Sequence, residues 1–141
     1  MEFLNETTYV DQAESVIKSL NDKIDDKNAK NQKSYLDLIT TTKIRSILSM
    51  AADIYNNAVQ CNGNTLNDEI VARIEYLRVK MIYECGRDTD RNKPVKIFIK
   101  DKAQLLDYIR MVGNDKKRFI LFYRYLEALV AFHRFYGGKD N

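Results

Sequence analysis

Apolar residues recur every three to four positions along most of the chain, and no segment keeps the strict alternation of a half-buried strand. The spacing predicts a first helix from about Thr8 to Ile24, with Tyr9, Val10, Ala13, Val16, Ile17, Leu20 and Ile24 on one face. Residues 25–33, from Asp25 to Lys33, carry no apolar stripe and read as a polar linker or an exposed extension. A second helix starts near Thr40-Thr41-Thr42, where a hydroxyl can cap the first turn, and holds the stripe Ile44, Ile47, Leu48, Ala51, Ile54, Tyr55, Ala58 and Val59 as far as Gln60. Asn62-Gly63-Asn64 closes it. A third helix runs from about Asn67, its expected cap, to Glu84, with Ile70, Ile74, Leu77 and Met81 as its stripe. Gly86 stands where a left-handed terminal residue is expected, and Arg87–Lys93 reads as a charged loop stopped by Pro94.

A short fourth helix is expected at about Asp101–Val112, capped by Asp101 and ended by Gly113. The fifth, at about Asp115–Tyr136, is the longest and most apolar. Phe119, Phe122, Tyr123, Leu126, Leu129, Val130, His133 and Tyr136 form its main face, yet Leu121, Ala128 and Phe135 lie opposite. A helix apolar nearly all round is either central or faces a partner. The fold class is therefore all-α, a single bundle of about five helices. Residues 1–35 supply an acidic helix and linker and residues 36–141 the basic body of the same domain.

At 141 residues the chain suffices for one continuous core, and 45% hydrophobic with 30% charged residues is the balance of a soluble globular protein. No apolar run approaches the roughly 18 residues that span a membrane, and the Met1–Glu6 start lacks the basic and apolar parts of a signal peptide. A cytoplasmic protein is expected.

The net charge of +3 says little, but its distribution says more. Residues 1–42 hold eight acids and five lysines, a net of −3, whereas residues 43–141 carry eighteen bases and twelve acids, a net of +6. All nine arginines lie between Arg45 and Arg134. The guanidinium fork suits bidentate phosphate contact, so the basic body is a candidate anion-binding surface; a scatter of solvated charges is the alternative.

Catalytic chemistry finds no foothold. His133 is the lone histidine and projects onto the core face of the fifth helix, where a hydrogen-bonded structural role is the expectation. The acids form no close pair at useful spacing, and no nucleophile elbow, zinc-protease, phosphate-loop or dinucleotide motif is present. Gly137-Gly138-Lys139 follows a helix and is too short for a phosphate loop. Cys61 and Cys85 stand far apart without a Cys/His cluster, so they read as unpaired thiols at helix ends, and neither a metal nor another cofactor is expected.

Binding is better supported. On the second helix Arg45, Ser49, Ala52 and Asn56 share one flank, where small and polar neighbours let a phosphate backbone approach. On the third, Arg78 and Lys80 border the apolar stripe on either side and can snorkel over its edge. Lys116, Lys117 and Arg118 crowd the first turn of the fifth helix. That end of the helix dipole disfavours cations, so the crowding is either mildly costly or compensated by a bound anion. Tyr76 and Tyr83 can stack on bases, although packing accounts for them more simply.

Three strings carry a resemblance. The end of the chain, Glu127-Ala128-Leu129-Val130-Ala131-Phe132-His133-Arg134-Phe135-Tyr136-Gly137-Gly138-Lys139-Asp140, is similar to the C-terminal signature of the small subunit of the type III-A (Csm) CRISPR effector complex. Thr42–Met50 with Asp53-Ile54-Tyr55-Asn56, and Tyr76–Glu84 running into Gly86-Arg87-Asp88, resemble the same family in the same order. With the Phe119–Tyr125 aromatic run these stretches cover residues 40 to 140; residues 1–35 contain no such string. The resemblance implies a small, non-catalytic helical subunit that stacks in copies beside the guide RNA–target RNA path. Such a subunit touches mainly RNA backbone and neighbouring Csm subunits, and takes no small-molecule substrate and no membrane. It puts Lys43, Arg45, Arg78, Lys80, Arg87 and Arg134 forward as the basic positions meeting RNA or protein. Arg118 and Arg124 join them on charge alone.

Two other readings stay open at this level. A helix-turn-helix regulator needs a recognition helix with polar, base-reading residues, but the third helix carries Ile70, Val71, Ile74, Val79 and Ile82. A protein–protein adaptor without RNA contact is favoured by the apolar far side of the fifth helix.

Overall fold

The computed structural model describes residues 1–21 and 34–139. Among these residues seven α-helices follow in order: α1 (Tyr9–Ser19), α2 (Tyr35–Leu38), α3 (Thr41–Ala58), α4 (Asp68–Arg87), α5 (Pro94–Lys96), α6 (Leu105–Val112) and α7 (Lys116–Phe135). Between α5 and α6 the chain continues as a π-helical turn, Ile97–Lys102. Among the described residues there is no strand; an isolated bridge joins Thr65 and Asp115. The all-α expectation holds; the helices beyond the expected five are α2 and α5.

The three long helices start where a side chain takes up a free backbone donor of the first turn. Thr40 Oγ1 accepts from the Lys43 N–H at 3.3 Å, Asn67 Oδ1 from Ile70 at 2.9 Å and Asp115 Oδ1 from Arg118 at 3.1 Å. Helix α7 is the central element: it packs against α1, α3 and α6, and α4 closes the other side of α3 and α6. Phe119, Phe122, Tyr125, Leu126 and Leu129 of α7 are all buried, and Leu121 is buried as well. Each such side chain contributes about 1.5–3 kcal/mol of burial. Tyr55 of α3 stacks on Tyr123 of α7 with ring centroids 4.3 Å apart. The all-round apolarity of α7 thus reflects its central place, except at Phe135, which is 77% exposed.

The structure corrects several boundaries. Gly86 has no left-handed backbone; α4 runs through it to Arg87 and ends at Asp88 in extended conformation. Pro94 is buried and begins α5, where its missing N–H costs nothing. The loop before it is built by buried Asp88, which accepts from the N–H groups of Asp90 and Val95. Asp101 caps nothing: it lies inside the π turn, and α6 starts only after Gln104, whose φ is 55°. Gly113, with φ 56°, ends α6 as expected. The expected first helix is described as far as Ser19, and Ile24 and the polar run Asp25–Lys33 lie outside the described residues.

His133 is fully buried, and its ring ties three segments together. Nε2 lies 3.0 Å from the Ile39 carbonyl and Nδ1 3.0 Å from Thr41 Oγ1. The carbonyl can only accept, so Nε2 carries the proton and Nδ1 accepts from the Thr41 hydroxyl. The chain end folds back over this ring: Gly138 N–H donates to the His133 carbonyl, and the Lys139 carbonyl accepts from Thr41 N–H at 2.7 Å. The structural role expected for His133 is the one found.

Candidate nucleic-acid interface

Helices α3 and α4 are joined by residues 59–67 and pack against each other, leaving a seam between them. On α3 the buried stripe is Ile44, Ile47, Ala51, Ile54 and Ala58, which leaves Lys43, Arg45, Ser49 and Asn56 exposed. The side chains of Lys43 and Arg45 have no hydrogen-bond or ion-pair partner among the described residues. On α4, Arg78 pairs with Glu75 at 3.2 Å and Arg87 with Glu84 at 3.1 Å. Lys80 sits 5.2 Å above the Tyr76 ring, and the Arg87 guanidinium 5.9 Å from the Tyr83 ring. Exposed pairs of this kind are worth about 0–1 kcal/mol, so they orient the cations without withdrawing them from a phosphate.

Three hollows follow the α3–α4 seam. The first is a small apolar void of about 10 Å³ among Ile39, Ile44, Ile47, Val95, Phe98 and Ile99, with Lys43 and Glu84 also lining it; Met50, Asp53, Arg73, Tyr76 and Lys80 line the second; Asn57, Gln60, Asn67 and Arg73 the third, an open cleft of about 520 Å³. Arg73 belongs to two of them, is half-buried, and has no ion-pair partner among the described residues. Sequence reasoning missed it; its signal was one more arginine on the helix that already carried Arg78. The two open hollows therefore gather Arg73 and Lys80; Lys43 borders the apolar void, and Arg45, Arg78 and Arg87 lie on the same two helices but line none of the three. Arg124 and Arg134 are exposed on α7 and line none of these hollows.

Tyr76 and Tyr83 are not packing residues: they are 59% and 58% exposed, and Val79 and Ile82 beside them are exposed as well. The outer face of α4 is thus an apolar strip flanked by cations.

The crowded first turn of α7 has a protein explanation. Lys116 Nζ donates to the carbonyls of Val59 and Cys61 at the end of α3, and Arg118 donates to the Met111 carbonyl at the end of α6. Cations at the start of one helix thereby serve the carbonyl ends of two others, where the dipole favours them. Arg118 also lies near Asp115 (3.9 Å) and over the Phe3 ring (5.1 Å), so it is held by the fold.

Asp115 is the hub of this junction. Burial raises its pKa, but the Arg118 N–H, the Asn64 amide, the Arg118 charge and the Lys117 N–H outweigh it and hold the carboxyl below its ordinary value. A depressed folded-state pKa stabilises the fold above the unfolded value of roughly 4 and loses that contribution as pH falls through the folded value. Asp115→Asn is expected to remove that acid-side loss while keeping the cap, and Asp115→Ala to cost about 1 kcal/mol at neutral pH. Chemical denaturation at pH 7 and pH 3 checks both; an Asn variant that loses as much on acidification as the parent contradicts the assignment.

Cys85 is buried, and burial, with Asp88, Glu84 and Asp101 adding to it against Lys96, pushes its thiol up, away from reactive thiolate character. Cys61 is half-buried and free. Among the described residues no group of His, Cys, Asp or Glu can hold a metal ion, and no helix is long and apolar enough to cross a membrane.

Comparison with known proteins adds the remaining evidence. The family model described as Csm2 Type III-A matches residues 14–139, so the likeness extends into the first helix, beyond the strings that start at residue 40. The Streptococcus thermophilus protein named CRISPR system Cms protein Csm2 is 36% identical over 140 residues, covering 99% of this chain and 100% of the relative. Its namesake from Mycobacterium tuberculosis is 34% identical over 103 residues, 73% of this chain and 79% of the relative. The Enterococcus italicus one is 30% identical over 122 residues, 85% and 84%.

Proposed function

This chain belongs to the Csm2 type III-A family, the non-catalytic small subunits of the CRISPR Csm complex, and on that premise we propose that it holds RNA backbone inside the assembled complex. Copies of the chain stack beside the paired guide and target RNA, in the cytoplasm, and touch neighbouring Csm subunits. Lys43 and Arg45 of α3 and Arg78, Lys80 and Arg87 of α4 meet phosphates, joined by Arg73; Arg124 and Arg134 of α7 serve RNA or a neighbouring subunit. Arg118 stays with the fold. The observation that carries this reading is the set of exposed and half-buried cations on two adjacent helices: Arg73 and Lys80 line the seam between them, and Arg45 stands unpaired on α3 beside the exposed Ser49 and Asn56. The exposed apolar strip of α4, Tyr76–Val79–Ile82–Tyr83, supports contact with protein neighbours as well.

A single modest groove makes few phosphate contacts. The purified chain is therefore expected to bind RNA weakly, without sequence preference, and to lose it between roughly 50 and 200 mM salt. Stacked copies in the complex bind more firmly through avidity. Filter binding across a salt series checks this. Tight, sequence-specific binding by the free chain, or preference for one duplex DNA site, contradicts it.

A further inference from the structure

Three cations from three elements converge on a cleft on the α6 side of α4. Arg78 of α4, Lys100 of the π turn and Arg110 in the last turn of α6 line a space of about 420 Å³, together with Asp101, Gln104 and Asp107. Lys100 and Arg110 are exposed, and neither forms an ion pair with Asp101, Asp107 or any other acid among the described residues. Arg78 has one exposed carboxylate partner, Glu75. Lys100 and Arg110 thus share the cleft with Asp101 and Asp107 without pairing to them.

The backbone around the cleft is held in unusual form. The segment from α5 through the π turn is bracketed by Lys93 and Gln104, both non-glycine residues with φ near 50° and 55°. Such conformations persist where the surroundings over-determine them and cluster at ligand clamps, and π-helical turns concentrate at functional sites. Here buried Tyr125 donates to the Ala103 carbonyl at 3.0 Å and Asp88 anchors the start of the segment. Together they fix the turn that delivers Lys100 to the cleft.

We infer that this cleft binds one phosphodiester group of an RNA strand. Arg78 is already balanced by Glu75, so Lys100 and Arg110, unpaired beside Asp101 and Asp107, are the cations free to meet the single negative charge of a diester. Two guanidinium forks and an ammonium can share its two free oxygens. Asp107 lies in the first turn of α6, where a carboxylate is favoured by the helix end, so its presence has a reason independent of the ligand. The inference rests on the reading that the chain works against RNA, and adds a phosphate position on the α6 side of α4, apart from the α3–α4 seam.

The test uses the assembled Csm complex carrying Lys100→Ala/Arg110→Ala, compared with Arg45→Ala and with Asp101→Asn/Asp107→Asn. Target RNA affinity is measured against salt, and incorporation of the chain is measured in parallel. The cleft predicts affinity weaker by about tenfold at fixed salt, a salt slope smaller by about one to two units, unchanged incorporation, and tighter RNA binding when the carboxylates are neutralised. Unchanged affinity and slope in the Lys100/Arg110 variant while Arg45→Ala weakens binding overturns the cleft and leaves the RNA reading standing. Silence of Arg45→Ala as well overturns the RNA reading. Reduced incorporation with an unchanged slope assigns the cleft to a protein neighbour and overturns the proposal, as does weaker RNA binding after the carboxylates are neutralised.

Discussion

Replacing His133 with alanine is expected to lower the melting temperature by roughly 10 °C, the largest effect of any single substitution considered for this chain. The ring is fully buried, and both nitrogens are engaged at 3.0 Å. Truncation strands the Ile39 carbonyl and the Thr41 hydroxyl, each a buried polar group costing about 1–3 kcal/mol without its partner, and leaves a void as well. A total near 3–5 kcal/mol follows, at about 2–4 °C per kcal/mol for a domain of this size. Gly138→Ala attacks the same latch from the other side. A β-carbon there would overlap Cε1 and Nδ1 of His133 and stand 2.6 Å from the His133 carbonyl oxygen, so it must displace either the ring or the chain end. Its cost is expected at about 1–3 kcal/mol. Thermal unfolding followed by circular dichroism reads both variants, and a shift under about 2 °C for His133→Ala rules out the latch as a structural centre. The consequence reaches the groove: the latch holds the first turn of α3 through Thr41, and Lys43 and Arg45 lie within one turn of it.

Much of this architecture was legible in the apolar spacing and the caps. Thr40, Asn67 and Asp115 mark the starts of α3, α4 and α7 because an oxygen placed before an apolar stripe has one favourable use, the free N–H groups of the first turn. Where the reading missed, a local rule gave way to packing. The signal for α2 was the capping box of Ser34 with Asp37, whose side chains and backbone donors bond reciprocally, but four residues are too few to show a helical period. Pro94 was taken as a stop, yet proline also suits a first helical position, and Phe98 and Ile99 needed burial. The π turn that buries both inserts one residue into the helical count, so a stripe drawn at 3.6 residues per turn cannot follow it. Gly86 was read as a terminus because glycine often is one; at an exposed position with open space around it, a helix tolerates glycine for about 1 kcal/mol.

The candidate site was legible one residue at a time and obscure as an arrangement. The strings that resemble the family marked Lys43, Arg45, Arg78 and Lys80, but only the packing of α3 on α4 places Arg73 between two hollows. Nor does a sequence reveal that Lys116 and Arg118 reach the carbonyl ends of other helices. Tyr76 and Tyr83 fit a packing role by composition, and only the position of α4 at the outside of the bundle leaves them exposed.

Loss of Arg45, Arg78 and Arg134 together is expected to have the largest effect on function. All three lie in stretches that resemble the family; Arg45 is exposed on α3, and Arg78 lines the cleft on the α6 side of α4. Arg45 and Arg134 are exposed and Arg78 is half-buried, so alanine at these positions removes no core side chain and helicity stays nearly intact. Each lost phosphate contact reduces the salt slope by about one unit. Lys27, Lys30 and Lys33 carry equal charge in the polar run, outside the described residues, and serve as the comparison, since their removal lowers the net charge by the same amount.

The most direct measurement of the central claim is the slope of log affinity against log salt for target RNA on the assembled complex, with the parent chain, the arginine triple and the lysine triple. The account predicts a slope lower by about two to three units for the arginine triple and nearly unchanged for the lysine triple. Equal slopes for the arginine triple and the parent, or a larger loss for the lysine triple, would contradict it.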